Sequence, residues 1–170
     1  MEDFQMPDVE NRDSLANKIS ALLERIDRVF PKSEAIESES ITKHPCDECI
    51  AIRNDFAGVA WWSADPELID AYFTSLSLFT PKAFHYYLPA YLVYSLNHFE
   101  PFEGAVEFSI YALSLELDDP RRNKWLTERK NLFTEEQRQV IVKFLELVRD
   151  HPEMEIYQAD VVSGIEFWKR

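Results

Sequence analysis

The sequence predicts an all-α protein: a single compact domain of six or seven helices packed around one central helix that carries an internal proline. Three observations carry this. Apolar residues recur at intervals of three and four along most of the chain, the spacing of one helix face. Helix-start signatures recur ahead of those stripes, at Asp65-Pro66, Thr80-Pro81 and Thr134-Glu135-Glu136-Gln137. With 170 residues, 46% of them hydrophobic and 14% aromatic, the chain is long enough to bury a core, and its length suits one domain.

Residues 1–12 are polar and are expected to fray, which leaves 13–170 as the domain. Ser14 then precedes Leu15, Ile19, Leu22, Ile26 and Val29, one apolar stripe that ends at Pro31. Lys32 to Lys43 is charged and serine-rich without a period, so a loop is expected. Pro45 opens a second helix that ends at Gly58, with Asp47 and Glu48 beside the positive end of its dipole. Asp65 as N-cap and Pro66 as first helical residue open a third through Leu68, Tyr72 and Leu76.

The helix from Thr80 to Phe99 bears apolar or aromatic residues on nearly every side, which marks it as central. Pro89 within it cannot donate to the carbonyl of His85, so a kink is expected there. Phe102 to Asp119 fits a helix through Phe102, Val106, Ile110, Leu113 and Leu117, although β-type alternation matches parts of it. Asp119 to Asn131 is polar and locally basic and reads as a connector. Thr134 and Gln137 form a capping box ahead of Val140, Ile141, Phe144, Leu145 and Val148, and Tyr157, Val161, Ile165 and Trp168 suggest a short closing helix.

Composition excludes several functions. A formal net charge of −13 repels phosphate backbones and anionic lipid and favours a basic partner, so nucleic acid is not expected. The acidic start lacks the basic and apolar regions of a secretory signal, and cytoplasmic location is expected. The most apolar run, Ala83 to Leu96, is shorter than the roughly 20 residues that cross a bilayer, and no membrane contact is expected. Three glycines, Gly58, Gly104 and Gly164, cannot build a glycine-rich phosphate loop. Glu-x-x-His, His-Glu-x-x-His and Gly-x-Ser-x-Gly are absent, so the chain leans away from an enzyme.

The stretch Leu76 to Leu92, "LSLFTPKAFHYYLPAYL", preceded by "WWSADPELI" (Trp61 to Ile69), resembles an uncharacterised family of small bacterial proteins. Its pattern is of the type Leu-Thr-Pro-Glu-Ala-Phe-Arg-Tyr-Tyr-Leu-Pro-Ala. Lys82 stands here for the acidic residue and His85 for the arginine. The resemblance implies a bacterial helical domain and supplies no chemistry.

Two surfaces and one cluster remain as candidates. His44, Cys46 and Cys49 fall within six residues, and two cysteines at i and i+3 on a helix start share a face, so they are candidate zinc ligands. A fourth ligand is missing nearby and would have to be His85, His98 or His151. The plainer reading is that both cysteines pack as small apolar residues, and no cofactor is then needed. Thioredoxin-type redox chemistry would want a βαβ setting, which the sequence does not suggest. Trp61, Trp62, Tyr87, Tyr91 and Tyr94 offer a candidate interaction surface, against the alternative of core aromatics with tethered polar tips. Arg121, Arg122, Lys124, Arg129 and Lys130 could meet phosphate but read more simply as a solvated loop.

The leading expectation is therefore a non-enzymatic module of the immunity, antitoxin or adaptor kind that binds another protein, basic in character, through an acidic surface. The alternatives are a metal-binding protein at His44, Cys46 and Cys49, and an enzyme with a site around His85. Sequence leaves the oligomeric state open.

Overall fold

The computed structural model describes residues 9–116 and 118–170, with side chains from Ser14 onward. Its elements are α1 (Val9–Val29), α2 (Asp47–Asp55), α3 (Pro66–Ala71), α4 (Pro81–Asn97), α5 (Gly104–Leu113), α6 (Pro120–Lys130), α7 (Glu135–Asp150) and α8 (Gln158–Lys169). Short 3-10 turns join them at Ser38–Ser40, Trp61–Ser63, Ser75–Ser77 and Pro152–Tyr157. There is no strand among the described residues, so the all-α expectation holds for a single domain of eight helices rather than six or seven.

The additional helix is α6, where a connector was expected. Asp119 accepts from the backbone N–H groups of Arg121 and Arg122, and Pro120 sits in the first turn, the same start read correctly at Asp65-Pro66. α1 begins ahead of Ser14, so Ser14 lies inside the helix and does not cap it. Of the stretch expected to fray, residues 1–8 lie outside the described residues. The third and fifth helices are shorter than their stripes: α3 gives way to a turn before Leu76, and α5 ends at Leu113. Leu117 lies outside the described residues.

α4 is the centre of the core. Ala83, Phe84, Tyr87, Leu88, Tyr91 and Leu92 are buried on one half of its circumference and Tyr86, Pro89 and Leu96 on the other, and the helix runs on past Pro89. α1, α5 and α6 pack on it, while α7 and α8 form the most extensive helix pair, α7 packing on α1 and α8 on α5. α7 opens with the capping box: Thr134 Oγ1 accepts from the Gln137 N–H and Gln137 Oε1 accepts from the Thr134 N–H. Gly164 lets α8 approach closely, since a Cβ there would lie 2.9 Å from Leu145 Cδ1 and 3.1 Å from the Leu113 carbonyl oxygen. No helix among the described residues is long and apolar enough to cross a membrane.

The core tethers the irregular segments by polar tips. Tyr86 donates to the Ser33 carbonyl, Tyr87 to those of Phe56 and Val59, and Tyr91 to that of Tyr72. Trp61 Nε1 donates to the Pro31 carbonyl. These bonds satisfy hydroxyl and indole groups inside an apolar core, where an unpaired one would cost roughly 1–3 kcal/mol.

Candidate metal and thiol centre

The backbone decides the geometry of the cysteine pair. Cys46 is the N-cap of α2, in extended conformation, and its sulfur accepts from the Cys49 N–H at 3.5 Å. Cys49, one helical turn on, is buried and 1% exposed, whereas Cys46 is half-buried. His44 is exposed, and its Nδ1 accepts from the Cys46 N–H at 3.3 Å. The donor atoms of His44, Cys46 and Cys49 all lie within 4.8 Å of one another. The three residues that adjacency in sequence singled out are thus gathered in space.

Two further residues hold the loop onto the helix. Thr42, buried, donates to the Cys49 carbonyl at 2.8 Å, and Arg53 reaches back to the Thr42 carbonyl at 3.1 Å. The segment before the helix is therefore pinned at both ends of α2. Sequence reading passed over Thr42 and Arg53; the only available signal was that both flank the cysteines.

The two thiols differ electrostatically. Cys46 is lowered to about 7, first by the hydrogen bond from the Cys49 backbone and then by the His44 side chain. Cys49 is raised, first by burial and then by its neighbour Cys46. A thiolate at a helix N-terminus meets unpaired N–H groups and the positive end of the dipole, which is the physical origin of the first shift.

No fourth donor joins the three among the described residues. His85 Nε2 instead pairs with Gln137 Oε1 at 3.0 Å, its ring edge-on to Phe133. His98 stacks on Tyr94 with centroids 4.1 Å apart and its Nδ1 2.9 Å from the Tyr94 carbonyl. His151 caps the Pro152–Tyr157 turn, accepting from the Glu153 N–H.

The aromatic residues named as an interaction surface divide. Tyr87 and Tyr91 are fully buried, Trp61 is buried, and burial raises both tyrosine hydroxyls well above their ordinary range. Tyr87 and Tyr91 offer no contact surface, because they are enclosed in the core, whereas the buried Trp61 still lines the groove that Trp62 borders. Trp62, 50% exposed, and the half-buried Tyr94 face outward. They line a groove of about 360 Å³ between α1 and α4, floored by Leu23, Ile26, Ile69 and Val93. Tyr94 donates to Asp70 at 3.1 Å, and burial followed by Asp70 pushes its hydroxyl up to about 12.

Three of the five basic residues, Arg122, Arg129 and Lys130, are turned inward. Arg129 is 4% exposed; it donates to the carbonyls of Phe79 at 2.6 Å and Trp125 at 3.0 Å, and its guanidinium lies 3.7 Å over the Trp125 ring. Arg122 stacks on the same ring at 3.9 Å, and Lys130 donates to the Phe167 carbonyl at 2.5 Å. Arg121 and Lys124 remain exposed.

Comparison with known proteins decides the family alone. A family model described as a family of unknown function, DUF6714, matches residues 14–170. The chain belongs to DUF6714. No curated protein and no solved structure matched it. The DUF6714 match spans the candidate centre, the groove and every helix after the first turns of α1.

Proposed function

We propose that this DUF6714 protein binds one soft divalent cation of the zinc class through His44, Cys46 and Cys49. The single observation that carries the reading is the convergence of one imidazole and two sulfurs within 4.8 Å at a pinned helix start. Zinc takes sulfur at about 2.3 Å and imidazole nitrogen at about 2.0 Å, which sets donors about 3.5 Å apart around a tetrahedron. The gathered side chains need to close by about an ångström. Three protein donors leave one coordination position, and the exposure of His44 directs it to solvent, where water or an external donor would fill it.

Protein freed of metal under reducing conditions and titrated with zinc is expected to take up one equivalent. Cobalt in its place is expected to give the intense near-ultraviolet band of thiolate-to-metal charge transfer, lost in Cys46→Ser. Absence of that band in the intact protein would overturn the reading.

A second reading is favoured by the groove beside Trp62: docking of a basic protein segment that inserts an apolar side chain between Trp62 and Tyr94. Its support is charge complementarity, since the net charge is −13 and Asp70, bonded to Tyr94 of the groove, carries negative charge beside it. Lysine-rich peptides with one leucine anchor are expected to bind with an affinity that falls as salt rises and is lost in Trp62→Ala. Equal binding of acidic peptides would refute it.

A further inference from the structure

We propose that Cys46 and Cys49 also work as a thiol–disulfide exchange pair, with small neutral or cationic organic disulfides as the class of substrate. The inference concerns the sulfurs of the centre proposed above but does not need a metal. It rests on three geometric facts. The sulfurs are no more than 4.8 Å apart, so rotation of two short side chains carries them toward the roughly 2.0 Å of an S–S bond. Only one of them is reachable: Cys46 is half-buried and flanked by exposed residues, while Cys49 is 1% exposed. The loop and helix that carry them are already tied by the Thr42 and Arg53 hydrogen bonds, so closing the ring leaves the backbone in place. A βαβ setting is absent, but the reaction depends on the local N-cap arrangement, which is present without it.

The Cys46 sulfur, its proton passed to water, attacks one sulfur of R–S–S–R; the Cys46–S bond forms, the S–S bond breaks, and the first RS⁻ leaves and is protonated. Cys49 then attacks the Cys46 sulfur, the mixed disulfide breaks, and the second RS⁻ leaves and takes up the proton given up by Cys49. The substrate disulfide is reduced to two thiols and the protein dithiol is oxidised to the Cys46–Cys49 disulfide. Excess RSH reverses both steps.

Charge sets the substrate class. Asp47 and Glu48 occupy the first turn of α2 next to Cys46, both exposed, and the whole chain is strongly acidic. An anionic disulfide is repelled from this surface and a cationic one is drawn to it. Because a disulfide and a metal need the same two sulfurs, oxidation of loaded protein expels the ion.

The test uses full-length protein kept free of metal by chelator, with cystamine as cationic probe, hydroxyethyl disulfide as neutral probe and oxidised glutathione as anionic probe. Peptide mapping is expected to find the Cys46–Cys49 disulfide in wild-type protein. Cys49→Ser is expected to stop with the probe attached at Cys46, and Cys46→Ser to react at least tenfold more slowly. Cystamine is expected to react faster than oxidised glutathione by a ratio that shrinks with added salt. Stable mixed disulfides on the wild type, first attack by Cys49, or faster reaction with oxidised glutathione overturns the proposal. Circular dichroism confirms that each variant folds. A metal-free protein that closes its disulfide yet takes up no zinc refutes the metal reading alone; one that binds zinc but will not close refutes the exchange pair alone.

Discussion

Gly164 is a point of close approach between α8 and the rest of the domain, and Gly164→Ala measures how close it is. The new Cβ would lie 2.9 Å from Leu145 Cδ1, 3.1 Å from the Leu113 carbonyl oxygen and 3.3 Å from Ser114 Oγ. The Leu145 methyl can swing away, but the Leu113 oxygen is backbone and also accepts from Trp168 Nε1 at 2.8 Å. Overpacking of this kind costs about 1–3 kcal/mol. Alanine recovers about 1 kcal/mol of helix propensity over glycine. Strain on the Trp168 hydrogen bond adds up to about 1 kcal/mol. The net expectation is a loss of about 1–2 kcal/mol, which for a domain of this size lowers Tm by about 2–8 °C. Thermal unfolding followed by circular dichroism reads it directly. Repeating the substitution in a Leu145→Ala background removes the methyl clash and leaves the carbonyl clash, so part of the loss is expected to persist. A Tm equal to or above that of the parent would refute the close-approach argument, since propensity alone would then decide.

Alkylation of Cys46 by iodoacetamide is expected to rise with pH to a midpoint near 7, with Cys49 reacting far more slowly, and His44→Ala is expected to move the Cys46 midpoint upward. Because the folded thiol is the stronger acid, its linkage stabilises the fold fully above the ordinary thiol range near pH 9 and is lost as pH falls through 7. Arg129→Lys keeps the charge but cannot serve the Phe79 and Trp125 carbonyls while lying flat on Trp125, and a loss of about 2–3 kcal/mol is expected in urea unfolding. Thr134→Ala removes the hydroxyl of the capping box and is expected to cost about 1 kcal/mol by the same measurement.

Hydrophobic periodicity found the helices whose buried face is aliphatic or aromatic, and it missed α6 for a physical reason. The buried face of α6 is made by Leu126 together with Arg129, with Trp125 half-covered beneath two guanidinium groups. A stripe made of arginine and tryptophan is invisible to a pattern that counts apolar residues. The Asp119-Pro120 start was legible, since it repeats the chemistry of Asp65-Pro66, and it outweighs the polar composition that follows. α5 fell short of its stripe because Ser114 leaves helical geometry, its hydroxyl turning back to the Ile110 carbonyl at 2.7 Å.

At the centre, residue types and spacing identified His44, Cys46 and Cys49 because all three are local to one helix start. What sequence could not supply was the asymmetry between the sulfurs, which comes from Cys46 standing at the N-cap while Cys49 faces Thr42 and the core. Nor could it separate Tyr87 and Tyr91 from Tyr94. Those two point their hydroxyls at carbonyls of Phe56, Val59 and Tyr72, positions some 20 to 30 residues away that no periodicity connects.

The same tyrosine bonds bear on how the domain opens. A surface connection usually exchanges its amide hydrogens early, because it can lift off while the helices stay packed. Here the segments around Ser33 and Phe56 to Val59 are hung from side chains of α4, and Phe79 from the buried Arg129. Releasing any of them strands a polar group in the core. These connections are therefore coupled to the most protected part of the molecule, and a protease would gain access to them only in openings that also disturb α4.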